Sequence, residues 1–112
     1  MLPLQPQNDA LQPDNVRIIS LSVQPWEDNK RVKVFIELTP FERPPNLEIN
    51  INDPEGNILA STNIIESILT KIVFTMHIKE FNPSNEYVIN VVVGYQDLGT
   101  VSHTSYEFTL DD

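Results

Sequence analysis

Between Tyr87 and Tyr95 the chain alternates without a fault: Tyr87, Ile89, Val91, Val93 and Tyr95 share one parity, and Val88, Asn90, Val92 and Gly94 the other. Successive side chains of an extended strand point to opposite faces, so this segment is a strand with one wholly apolar face that other structure must cover. Arg31 to Leu38 repeats the pattern, with Val32, Val34, Ile36 and Leu38 inward and Arg31, Lys33, Phe35 and Glu37 outward. Two such strands confine the chain to a β architecture.

Further alternating segments surround these two. Val16 to Val23 carries Ile19, Leu21 and Val23 on one parity, and Leu47, Ile49 and Ile51 form another inward row. Ile72, Phe74, Met76 and Ile78 make a fifth strand, and His103 to Leu110 a last one with Tyr106, Phe108 and Leu110 inside. Asp53-Pro54-Glu55-Gly56-Asn57 is hairpin chemistry, because proline presets φ and glycine tolerates the positive φ that follows. It predicts an antiparallel return from about Ile58 to Thr62, followed by a loop or short edge strand. Ile64, Ile65, Ile68 and Leu69 could instead line one side of a short helix, although Ser61, Thr62 and Asn63 are poor helix formers. The sum is an all-β, immunoglobulin-like antiparallel β-sandwich of about seven strands with at most one short helix. If the strands take the usual immunoglobulin-like order, the first, second and fifth lie in one sheet.

The segment Phe81 to Val91 resembles the E–F corner of fibronectin type III and related immunoglobulin-like domains. There an apolar residue, a proline and a small polar residue precede a corner tyrosine and alternating aliphatics; Phe81, Pro83, Asn85, Tyr87, Ile89 and Val91 stand in those places. The resemblance implies a sandwich in which Tyr87 is structural, and a binding or spacer module without catalytic residues. Trp26 departs from the pattern, since it precedes the second strand rather than lying within it. The likeness is therefore to the immunoglobulin-like group and not to one family in it.

With 112 residues the chain is one domain in length. Residues 1–15, with three of the nine prolines and few large apolar groups, are expected to form a flexible tail ahead of a single domain over 16–112. Sixteen acidic and seven basic side chains give a net charge of −9, which repels phosphate backbones and anionic lipid, so neither nucleic acid nor membrane is expected as a partner. No apolar run approaches the ~20 residues of a membrane-spanning helix. The start lacks the pattern of a signal peptide, and cysteine is absent, so the expected location is cytoplasmic.

Chemistry-bearing constellations are sparse. His77 and His103 should lie on different sheets, and no cysteine or short histidine spacing supports a metal site. Ser102, His103 and Asp97 can be written as a triad, but no nucleophile-elbow motif holds them. Gly56, Gly94 and Gly99 form no phosphate-cradling loop. Asp53 and Glu55 are better read as turn residues than as calcium ligands. No cofactor and no enzymatic activity are expected.

What remains is surface. Val88 and Val92 are aliphatics on the outer parity of the sixth strand. Phe41 sits among Pro40, Pro44 and Pro45, whose rigidity lowers the ordering cost of contact. Trp26 lies in a polar turn. Basic residues Arg31, Lys33, His77 and Lys79 gather on the outer face of the first sheet, beside Phe35, Val73 and Thr75. The expectation is a non-enzymatic interaction or accessory module with a protein partner, contacting it through Phe41, Val88, Val92 or Trp26. The alternatives are a carbohydrate- or other ligand-binding module, with Trp26 and Phe41 as stacking platforms, and an inhibitor-like module presenting the 39–46 loop. Unpaired edge strands also offer a homodimer.

Overall fold

The computed structural model describes residues 10–28, 30–78 and 85–110. Its seven strands are β1 (Ile18–Pro25), β2 (Arg31–Leu38), β3 (Asn46–Asn52), β4 (Ile58–Ile64), β5 (Lys71–His77), β6 (Glu86–Tyr95) and β7 (Gly99–Thr109). They form a three-stranded sheet in the order β1-β2-β5 and a four-stranded sheet in the order β4-β3-β6-β7, with every pairing antiparallel. This is the expected antiparallel β-sandwich of seven strands, with the first, second and fifth strands together.

The inward rows meet between the sheets. Val32, Val34, Ile36 and Leu38 from β2 face Leu47, Ile49 and Ile51 from β3 and Tyr87, Ile89, Val91 and Val93 from β6, and all are buried. Each such aliphatic contributes roughly 1.5–3 kcal/mol through removal from water. Tyr87 stacks on Phe108 with ring centroids 5.4 Å apart, which ties the start of β6 to the end of β7. Asn85, just before β6, has a φ of 59°, a left-handed conformation that asparagine tolerates better than most residues. Phe81, Pro83 and the rest of the corner motif before Asn85, together with Lys79, lie outside the described residues.

Three expectations change. A bulge between Ile18 and Ser20 shifts the register of β1, so Ile18 joins Leu21 and Val23 against the core while Ile19 is 56% exposed. Tyr106 keeps the inward parity, opposite Ile89, but it lies on edge strand β7 and is 40% exposed. Of the predicted tail, residues 10–15 are instead attached to the sandwich. Leu11 packs on the core and bridges Phe41 in parallel, with Leu11 N–H donating to the Pro40 carbonyl and Glu42 N–H to the Leu11 carbonyl. A 3-10 turn, Pro13–Asn15, then leads into the buried Val16. Residues 1–9 lie outside the described residues.

β7 also starts earlier than the sequence indicates. The β6–β7 connection closes as a tight turn at Gln96-Asp97-Leu98, with Gly99 at a φ of 77° directly opposite Tyr95. No helix forms over residues 58–70: β4 runs on to Ile64, and bends follow. Among the described residues no helix is long and apolar enough to cross a membrane.

Candidate functional site: the loop end of the sandwich

Three connections gather at the end where β2, β4 and β6 finish. The 39–45 segment, the 65–70 segment and the β6–β7 turn are cross-braced rather than merely adjacent. Tyr95, buried, donates its hydroxyl to the Arg43 carbonyl at 2.8 Å, and the Arg43 guanidinium lies 4.8 Å from the centre of the Tyr95 ring. That guanidinium forks onto both carboxylate oxygens of Asp97. The hydrogen bond from Arg43 holds the Asp97 carboxyl below its ordinary value and raises the Arg43 guanidinium, whereas burial pushes the Tyr95 hydroxyl up.

The 65–70 segment is fixed by its backbone. Glu66 N–H donates to Asn46 Oδ1 at 2.8 Å, Ser67 N–H to the Pro45 carbonyl at 2.8 Å, and Leu38 N–H to the Thr70 carbonyl at 2.8 Å. Ser67 is buried and its hydroxyl bonds the Leu69 carbonyl, while Glu66 takes a φ of 48° to make the bend. This anchoring turns the large side chains outward. Ile65 is 69% exposed, Ile68 81% and Leu69 57%, with Leu98 of the neighbouring turn 53% exposed. Leaving such groups in water forgoes roughly 1.5–3 kcal/mol apiece.

The sequence reading missed these residues. Ile64, Ile65, Ile68 and Leu69 resemble one face of a helix, and that pattern signals burial. The signal that could have found them is the run Asn63-Ile64-Ile65-Glu66-Ser67-Ile68-Leu69, which fits neither the alternation of the flanking strands nor good helix formers.

The residues singled out earlier do not converge. Phe41 belongs to the loop end, yet it is half-buried against the core beneath Leu11. Trp26 lies at the opposite end, in the β1–β2 hairpin, where its backbone N–H donates to the Arg31 carbonyl. The Arg31 guanidinium covers the Trp26 ring at 3.9 Å and pairs with Asp28 at 2.9 Å. The hydrogen bond from Lys30 N–H, and next to it the Arg31 side chain, hold the Asp28 carboxyl below its ordinary value. One face of the indole is thus taken. Val88 and Val92 lie on the outer face of the four-stranded sheet and are half-buried among their cross-strand neighbours rather than freely exposed.

That outer face has regular cross-strand rows. Asn63, Glu48, Val92 and His103 form one, and Ser61, Asn50, Asn90 and Ser105 the next, where Ser105 Oγ bonds Asn90 Oδ1 at 2.6 Å. On the other sheet Arg31 pairs with His77, Lys33 with Thr75 and Phe35 with Val73. His77 and His103 therefore lie on different sheets. Ser102 Oγ accepts from Ile18 N–H, and His103, its neighbour along the strand, points to the opposite face. Asp53 accepts from Asn57 Nδ2 and from the backbone N–H groups of Glu55 and Asn57, and these bonds hold its carboxyl below the ordinary value. Among the described residues no group of three or more His, Cys, Asp or Glu side chains is placed to hold a metal ion.

No protein-family model matches the chain. No curated protein sequence matches it either. Among solved structures it is similar to the β-glucuronidase from Ruminococcus gnavus. The apo form gives a TM-score of 0.55 at 13% identity, covering 86% of this chain and 16% of the enzyme. The same enzyme with D-glucuronic acid gives a TM-score of 0.55 at 13% identity, and with uronic isofagomine 0.54 at 13% identity, over the same shares of each chain. The likeness shows a shared β-sandwich fold, and this chain spans about a sixth of the enzyme's length.

Proposed function

We propose that this β-sandwich is a non-catalytic contact module that docks a protein partner with its loop end. The observation that carries this is the exposed aliphatic knob of Ile68 and Leu69, held in place by the buried Ser67. The knob is aliphatic rather than aromatic, and Arg43, Glu66 and Asp97 are exposed at the same end of the sandwich, a mixture suited to a protein surface. The similarity to a stretch of a much larger chain accords with a module that works beside other domains. Its strand order, with buried Tyr87 heading β6 and Asn85 before it, also supports the likeness to immunoglobulin-like sandwiches.

The test is affinity capture from the native lysate, with the partner identified by cross-linking. Ile68→Asp/Leu69→Asp should lose the partner, with circular dichroism unchanged. Retention of the same partner by this variant, with cross-links from another face, would remove the proposal.

A second reading, a carbohydrate-binding module, is favoured by the row Ser61, Asn50, Asn90 and Ser105, a flat strip of amides and hydroxyls. The fold's occurrence within a β-glucuronidase accords with it. Trp26 and Phe41 serve it poorly as platforms, since one is capped by Arg31 and the other half-buried. Glycan-array signals that vanish with Asn90→Ala would support it, and a silent array would dismiss it.

A further inference from the structure

Where the loop end offers side chains, one long edge of the sandwich offers backbone. β1 and β7 close the other side: Arg17 Nη1 donates to the Val101 carbonyl at 3.2 Å and Ile18 N–H to Ser102 Oγ at 3.2 Å. Among the described residues no hydrogen bond of this kind joins β4 to β5. A groove lined by Leu59 to Thr62 and by Thr75, Met76 and His77 runs between them, and among the described residues β4 pairs with β3 alone.

Edge strands are ordinarily blunted by charge, proline or distortion. β1 contains Pro25 and a bulge, β5 carries Lys71 and His77, and β7 carries His103 and Glu107. β4 reads Ile-Leu-Ala-Ser-Thr-Asn-Ile, with no ionisable group and no proline in a chain of net charge −9. Its one irregularity, between the Ile51 and Asn52 pairings, falls at Leu59 and leaves Ala60 to Ile64 regular.

We infer that the β4 edge is a self-recognition site, at which two copies of this chain join their four-stranded sheets into one of eight strands. The occupant is indicated by the self-complementarity of the edge. Antiparallel pairing about Thr62 sets Ala60 opposite Ile64 of the second copy, so that small meets large on the inward face, with threonine against threonine at the dyad. On the outer face Ser61 meets Asn63. Beyond them Ile65, 69% exposed, comes against Leu59 and Ile58, the latter 63% exposed, at both ends of the pairing. No charge opposes a like charge within Ile58 to Ile65. An isologous two-fold contact needs this kind of self-complementary strip. The inference goes beyond the loop-end reading and does not require it.

A pair of variants tests both the edge and the register. Asn63→Lys places its charge beside Glu48, its neighbour on β3, in either variant. With Ser61→Lys added, two lysine–lysine oppositions arise across the dyad; with Ser61→Glu added, two glutamate–lysine pairs arise instead. Light scattering and sedimentation should show wild type and S61E/N63K as dimers. S61K/N63K should be a folded monomer by circular dichroism, its dissociation constant raised roughly tenfold or more. Ile68→Asp/Leu69→Asp should remain dimeric, so failure of the loop-end reading is distinguishable from failure of this one. A monomeric wild type at its highest soluble concentration overturns the inference. So does a dimer indifferent to S61K/N63K, an S61E/N63K variant no tighter than S61K/N63K, or loss of the dimer with the Ile68 and Leu69 changes.

Discussion

At Gly94 the β6–β7 hairpin brings two backbones together: an added Cβ would lie 2.7 Å from the Gly99 carbonyl oxygen and 3.2 Å from the Thr100 Cα. Neither is a flexible side chain that can swing aside, so Gly94→Ala should destabilise the fold by about 2 kcal/mol, read as a lower denaturant midpoint. The change should also disturb Tyr95 and, through its hydroxyl, the 39–45 segment. The sequence showed the alternation that brackets Gly94 but not this need, because the near approach depends on how sharply the next turn closes. Ile19 makes the same point. Its parity was readable, but a single extra residue in the register of β1 exchanged it with Ile18. Alternation tells which residues share a face only as long as pairing is regular.

Among the elements, β2 was legible to its end residues because its inward row is uniformly apolar and its outward row polar or aromatic. The 65–70 segment was not, since what holds it is backbone hydrogen bonding to Asn46 and Pro45, some twenty residues earlier in the chain. The 39–45 segment was expected to be stiff through its prolines, and the Arg43–Asp97 fork adds a tether that composition does not show. Asp97→Ala should therefore accelerate amide exchange at Ser67, whose N–H is held by Pro45, and leave the β2–β5 ladder protected. The pH dependence follows the same link. The Asp97 carboxyl lies below its ordinary value of 3.8, so the folded state binds its proton less tightly than the unfolded state. The tether is complete above about pH 5 and is lost as the pH falls through the lowered value. Protection of the Ser67 amide, taken relative to its intrinsic exchange rate at each pH, should then fall as the pH drops below about 4 in wild type and stay level over that range in Asp97→Asn.

For the whole molecule, the two-sheet topology was legible because seven short apolar rows leave few ways of covering one another. The contact surfaces were not, because exposure is decided by which strands end at an edge. Charge governs how two copies would meet. Each carries −9, and the β4 edge brings no opposite charges together, so association through it should tighten as salt screens the long-range repulsion. Stacking of the face bearing Arg31, Lys33 and His77 on an acidic face would weaken under the same titration. Sedimentation between about 20 and 500 mM salt separates the two.

The attachment of Leu11 to Phe41 has a mechanical consequence. It anchors residue 10 at the loop end, whereas Leu110, bonded to Asn85, leaves from the far end. Traction applied at those two points runs along the strands, so the long β6–β7 ladder is loaded in shear and its bonds share the force rather than unzipping one at a time.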